Sequence, residues 1–204
     1  MQQAFLTRKF QFGEQPVVLA LPDMDMLKSQ WQQGLQPAED FPFWAKLWPA
    51  ALGVCTFLTR YPDYIKNKRV LELAAGLGLP SLVAARQAAS VVSSDYAVDC
   101  LPYLQQSVLL NGLDNVQVRL IDWNKLPADL VVDTVILSDI NYDPSVFPQL
   151  ELLFNQLLQQ GITIILSTPQ RLMGKPFLMS FMPFCVFTET ITADEQEISV
   201  FVYQ

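Results

Sequence analysis

Residues 69–85, RVLELAAGLGLPSLVAA, constrain this chain more than any other stretch, because an apolar run breaks there into a glycine-containing turn and resumes with helical spacing. Val70, Leu71 and Leu73 have the composition of a strand buried on both faces, as parallel strands are. Gly76 and Gly78 supply a turn in which the backbone bends sharply or lets another group approach. Pro80 lacks an amide hydrogen and is best tolerated in the first turn of a helix, and Leu82, Val83, Ala84 and Ala85 continue from it at helical spacing. Strand, glycine turn and helix form the first half of a βαβ nucleotide site. Unpaired amides at the start of the helix are expected to face a ligand anion. A glycine turn alone is a weak signal, since such turns also end strands in proteins that bind nothing. It is strengthened by VVSSD, residues 91–95, which reads as a second strand ending in a carboxylate 19 positions after Gly76. Folds of this kind set an acid against ribose hydroxyls at an offset of roughly 20 residues. The expected ligand therefore contains a nucleoside.

A chain of 204 residues with 51% hydrophobic content can bury one substantial core. The organisation expected is an N-terminal hairpin and helix extension over residues 1–45 and a main domain over 46–204. The net charge of −7 argues against a nucleic-acid backbone as the main partner. The absence of histidine excludes every histidine-dependent mechanism, and with no CxxC pair it speaks against a catalytic metal; no metal ligand is assigned. Cys55, Cys100 and Cys185 are expected as reduced, buried thiols. No signal-type apolar region and no run of membrane-spanning length is found, so no membrane partner and cytoplasmic residence are expected.

Taken in order, residues 5–21 alternate and turn at Gly13, which predicts a β-hairpin. A short helix is expected over 23–33 and a loop over 34–42. Aromatics and prolines then lead into a helix beginning near Pro49, with Trp48 before its N-terminus in position to lie over a ligand. A helix over 98–111 is stopped by Asn111-Gly112. A third strand over 116–121 runs into Asp122-Trp123, where an acceptor and an apolar plate suit a purine; a turn acid beside a core tryptophan is the alternative. The fourth strand, 134–137, ends in SDINYDP, putting Asp139 and Tyr142 at the sheet edge where open α/β sheets hold their ligands. An Asx-type turn before Pro144 is the alternative there. A helix over 147–160, a strand over 162–167, a loop over 168–174, a helix over 173–181 and a hairpin turning at 193–195 complete the chain. The fold class is α/β: a doubly wound, mostly parallel sheet with a C-terminal antiparallel hairpin.

On LWPAA (47–51), LELAAGLGL (71–79), SSDY (93–96), IDW (121–123) and SDINY (138–142), nearly the whole chain resembles the class I, seven-β-strand S-adenosylmethionine-dependent methyltransferases. More narrowly it resembles methyltransferase family 16, the lysine methyltransferase-like group. The resemblance implies a Rossmann-like seven-stranded sheet and S-adenosyl-L-methionine as cofactor. It implies that Glu72 orders the glycine loop, that Gly76 and Gly78 make way for the methionine moiety, and that Asp95 holds the ribose. Asp122 and Trp123 would bracket adenine, Trp48 would pack on the adenosyl group, and Ser138 would also belong to the cofactor site. The family's DxxY motif falls on Asp139, which would hold the incoming ammonium, and Tyr142, which would help define its pocket. Where the family's first motif has its first glycine this chain has Ala74, and an altered loop geometry is expected there. The activity implied is direct methyl transfer to a protein lysine, or to a small amine. A catalytically silent cofactor-binding module working through a partner, and an NAD-dependent oxidoreductase, are the competing readings. Against the latter, Ser81 stands at the third glycine position of G-x-G-x-x-G.

Overall fold

The computed structural model describes residues 5–14, 16–30 and 42–204. Most of the loop expected over 34–42, and the end of the helix expected over 23–33, lie outside the described residues. The chain opens with an antiparallel hairpin, β1 (Leu6–Gln11) and β2 (Pro16–Leu21), followed by α1 (Met24–Gln30). α2 (Pro49–Arg60), β3 (Arg69–Leu73), α3 (Leu79–Ala84), β4 (Ser90–Asp95), α4 (Leu101–Leu110) and β5 (Val116–Leu120) form one half of the main unit. β6 (Thr134–Ser138), α5 (Phe147–Gln159), β7 (Thr163–Pro169), α6 (Lys175–Phe181), β8 (Cys185–Ala193) and β9 (Gln196–Tyr203) form the other.

The seven main strands lie in the order β5-β4-β3-β6-β7-β9-β8. The first five are parallel, β9 returns antiparallel to β7, and β8 pairs antiparallel with β9. This is the doubly wound sheet with a terminal hairpin that the strand spacing predicts. The β8–β9 turn holds Asp194 and Glu195 at φ of 50° and 61°. Two left-handed residues in a two-residue turn match the twist of the strands they join.

Period-two alternation divides the strands between two apolar layers. Val70, Ile136 and Ile165 face a layer completed by α2 and α3, through Val54, Phe57, Leu82 and Val83. Leu71, Leu73, Val135, Leu137, Ile164 and Leu166 face the layer of Leu150, Phe154 and Phe177 from α5 and α6. Val17 and Leu19 of β2 belong to the first layer, so the hairpin closes the core of the main sheet. It is docked by polar mimicry of a strand: Asn111 accepts from the Val18 amide at 2.9 Å and donates to the Val18 carbonyl at 2.6 Å, and Ser107 accepts from the Ala20 amide at 2.9 Å. These bonds satisfy an edge that would otherwise present unpaired backbone groups. Asn111, a helix stop in the sequence, thus also fastens the hairpin.

Strand order reverses between β3 and β6, and at such a switch point the connections diverge to opposite faces and leave a crevice at the carboxyl ends of the strands. The candidate site sits at that edge.

Candidate active site

A cleft of about 1150 Å3 opens along this edge. Trp48, Glu72, Gly76, Asp95, Trp123, Ser138, Asp139 and Tyr142 all line it, although they come from five separated segments of the chain. Gly78 and Asp122 do not. The Asp122 carboxylate is exposed and accepts from the Asn124 amide and side-chain nitrogen on one oxygen, both at 2.9 Å, as a turn acid does, while Trp123 beside it is half-buried and lines the cleft. Gly78 is needed for the chain's own packing. At φ +73°, a Cβ there would lie 2.3 Å from Leu104 Cδ2 and 3.1 Å from Ser93 Oγ, so the chain's own packing fills that space. At Gly76, at φ +53°, a Cβ would come 3.0 Å from the Trp44 carbonyl oxygen, and this glycine also lines the cleft.

The loop is fastened by two acids. Asp95, at the end of β4 and 4% exposed, accepts the Gly76 amide at 2.8 Å on one oxygen and the Ala97 amide at 2.9 Å on the other. Burial raises its pKa, and the amides of Ala97, Gly76 and Tyr96 oppose that rise. Each carboxylate oxygen keeps a lone pair for a further donor, such as a sugar hydroxyl. Glu72, 1% exposed, accepts from the Ser81 amide at 2.8 Å and from the Ser81 hydroxyl. Of the amides in the first turn of α3, that of Ser81 is therefore not presented to a ligand anion. Ser81 is bound to an internal acid, and Pro80 has no N–H to give.

Desolvation lifts the Glu72 carboxyl from its ordinary 4.5 to about 8, against the Ser81 hydrogen bonds that lower it. Between these values the folded chain keeps a proton that the unfolded chain has released, so this group's contribution to stability falls as pH rises through that window. Glu72→Gln, neutral throughout, is expected to be more stable relative to the wild type at pH 8 than at pH 5.5, as measured by urea unfolding at both values.

Ala74 sits at φ +52°, a left-handed conformation that glycine adopts freely. The substitution is absorbed as backbone strain, worth about 1–2 kcal/mol for an L residue. Ala74→Gly should relieve it, less about 0.5–1 kcal/mol of added unfolded-state freedom. A net gain of about 0.5 kcal/mol in unfolding free energy is expected.

The mouth of the cleft is aromatic. Phe43, about half exposed, lies 6.3 Å from Trp48 and 6.1 Å from Tyr142 between ring centroids. Trp48 donates its indole N–H to the Phe43 carbonyl at 3.0 Å, which fixes its ring, and Lys46 Nζ stands 4.3 Å over the centre of that ring. One face of Trp48 thus already carries a cation. Partial burial raises the Tyr142 pKa, with Tyr96, Asp143, Asp139 and Asp95 adding to the rise, so the phenol remains a hydrogen-bond donor. Glu72, Asp95, Asp99 and Asp139 line the cleft with Lys46; because Glu72 keeps its proton to about pH 8 and Asp139 is paired with Arg171, the negative charge offered to a cationic ligand comes from Asp95 and Asp99. Among the described residues no group of three or more His, Cys, Asp or Glu is placed to hold a metal.

Asp139 does not stand free to receive an ammonium. It is 7% exposed, held at φ +56°, and gripped by both terminal nitrogens of Arg171, with Nη2 to Oδ2 at 3.0 Å and Nη1 to Oδ1 closer still. The pair is electrically neutral. The Asx-type turn before Pro144 is formed instead by Asp143, which accepts from the Ser145 amide at 2.9 Å.

A family profile described as lysine methyltransferase matches residues 39–182. The chain belongs to that family. It is similar to the protein N-lysine methyltransferase METTL21A of Xenopus tropicalis, 34% identical over 62% of this chain and 61% of that protein. It is also similar to the histone-arginine methyltransferase METTL23 of Xenopus laevis, 31% identical over 56% of this chain and 51% of that one. The chain spans about half the length of the curated relatives it matches first. Among solved structures, the 16S rRNA N2 G1207 methyltransferase RsmC of Thermus thermophilus, in complex with AdoMet and guanosine, superposes with a TM-score of 0.67. That likeness covers 99% of this chain and 51% of RsmC at 16% identity, and it is one of fold.

For a member of the lysine methyltransferase family, Arg171 and Ser81 are the site-supporting residues that sequence reasoning missed. Ser81 appeared only as a departure from a glycine pattern. Arg171 lay in a segment read as loop. Its available signal was position, because it is the sole arginine after Arg119 and stands two residues past a strand's carboxyl end.

Proposed function

We propose that this chain is an S-adenosylmethionine-dependent N-methyltransferase whose acceptor is the side-chain amine of a protein lysine. The observation that carries this reading is Asp95, buried at the end of β4 with both oxygens set by the amides of Gly76 and Ala97 beside an acid-rich cleft. The residues fit the group. Asp95 retains lone pairs for ribose hydroxyls, Trp123 and Ile121 offer apolar surface beyond it, and the cleft acids tolerate a positive charge. Bound there, S-adenosylmethionine supplies an electrophilic methyl group.

The chain's own residues do the rest by positioning. Holding donor and acceptor in one orientation converts a bimolecular encounter into an oriented one. Phe43, Trp48 and Tyr142 give an apolar entrance that strips water from an alkyl amine, and desolvation favours its neutral, nucleophilic form. The neutral Asp139–Arg171 pair does not hold the acceptor as an ammonium. Relatives are named for lysine and for arginine, and the family description and the net charge of −7 support a protein lysine. Incubating the protein with tritiated S-adenosylmethionine and desalted lysate, then hydrolysing the labelled material, is expected to yield methyl-lysine. Label recovered only as methylarginine or in nucleic acid would overturn the reading.

A further inference from the structure

We propose that Arg171 is the specificity-determining residue of the acceptor end: by occupying both oxygens of Asp139 it reserves the pocket for a primary amine and refuses a guanidinium. This rests on the amine-methyltransferase reading above. Asp139 is the acid that β6 delivers to the cleft, and its side chain is 5% exposed. Its backbone is tied to β7 as well, the Asp139 amide donating to the Ser167 carbonyl at 2.8 Å. Arg171 arrives from the loop after β7, the strand beside β6, and its own amide donates to the Pro169 carbonyl at 2.8 Å, which holds the loop close. Arg171 does not line the cleft, so it engages Asp139 without filling the acceptor space.

A carboxylate meets a guanidinium through two parallel hydrogen bonds, one to each oxygen. Arg171 already makes both, at Oδ1 and at Oδ2. The lone pairs left on the two oxygens point apart, so a second guanidinium cannot make the same paired contact. An amine needs only one remaining lone pair on one oxygen. The charge balance acts in the same direction: with Arg171 present the carboxylate offers no net attraction to a permanent cation, whereas a lysine can enter as the neutral amine.

The test compares two side-chain mimics, n-butylamine and n-propylguanidine, binding to the wild type, Arg171→Gln and Arg171→Lys, each saturated with S-adenosylhomocysteine. Binding is read from the indole N–H resonances in NMR titrations. The wild type is expected to prefer n-butylamine at least tenfold. In Arg171→Gln the ratio should move at least tenfold toward n-propylguanidine. Arg171→Lys, which keeps the charge but not the fork, should fall between them. A purely structural arginine would weaken both probes alike, so an unchanged ratio in a folded Arg171→Gln overturns the proposal, as does a wild type that binds neither probe. Should Arg171→Gln not fold, an unchanged ratio in Arg171→Lys overturns it equally. Failure of the wild type to bind S-adenosylhomocysteine in calorimetry counts instead against the methyltransferase reading.

Discussion

Asp95→Asn is expected to weaken S-adenosylmethionine binding about 100-fold, or about 2.7 kcal/mol, while lowering the stability of the ligand-free protein by only about 1 kcal/mol. The two effects separate because Asp95 holds both the loop and the proposed ligand. Its Oδ2 takes the Gly76 amide and its Oδ1 the Ala97 amide. Asparagine keeps one of these bonds and turns an NH2 toward the other donor. A hydrogen bond to a charged group is worth about 1.5–3 kcal/mol, so the loss is sizeable. Part of it is returned, because desolvation already disfavours the buried charge, as the raised pKa of Asp95 records, and the amide carries none. No such offset applies to binding, where one loop amide loses its partner and the charged acceptor for the ribose becomes a neutral amide. Calorimetric titration and urea unfolding of the same preparations check the two numbers. Equal losses in both would mean that Asp95 is a loop fastener only.

Gly78→Ala should cost about 2–5 kcal/mol of folding stability, a large share of what a domain has. Two terms add. The left-handed backbone at φ +73° costs an L residue about 1–2 kcal/mol. The new methyl, 2.3 Å from Leu104 Cδ2, must push that side chain into a filled core, at about 1–3 kcal/mol. Leu104 is 2% exposed and sits on α4, which holds β2 in place through Ser107 and through Asn111 just past its C-terminus, so α4 is poorly placed to retreat. A fall in the urea midpoint at constant m-value would show it. Combining Gly78→Ala with Leu104→Ala removes the clashing methyl, so the double variant should lose less than the two singles together, by about 1 kcal/mol. Strict additivity would place the strain elsewhere.

The parts of this fold that were legible in the sequence are those governed by local period and punctuation. β3, its glycine loop and α3 follow from an apolar run, two glycines and Pro80, and the order of strands and helices follows from alternating patterns. What was illegible depends on which distant group a side chain meets. Asp95 and Asp122 look alike, each an acid at the end of a strand. Each accepts the amide two residues on, but only Asp95 has a second oxygen reaching back to Gly76, because β3 lies beside β4 in the sheet. Glu72 and Ser81 are nine residues apart and meet because the glycine loop folds α3 back over the strand end. Arg171 and Asp139 are 32 residues apart, and their pairing requires knowing that β7 runs beside β6. The glycines also answer to contacts that no local pattern shows: a Cβ at Gly76 would crowd the Trp44 carbonyl, and one at Gly78 the Leu104 side chain.

The most direct test is a crystal structure of the protein grown with S-adenosylhomocysteine. An adenosyl group is expected in the cleft, its ribose hydroxyls within hydrogen-bonding distance of the Asp95 carboxylate and its base beside Trp123. Density for the compound outside the cleft, or a ribose turned away from Asp95 in a cleft that is otherwise filled, would contradict it.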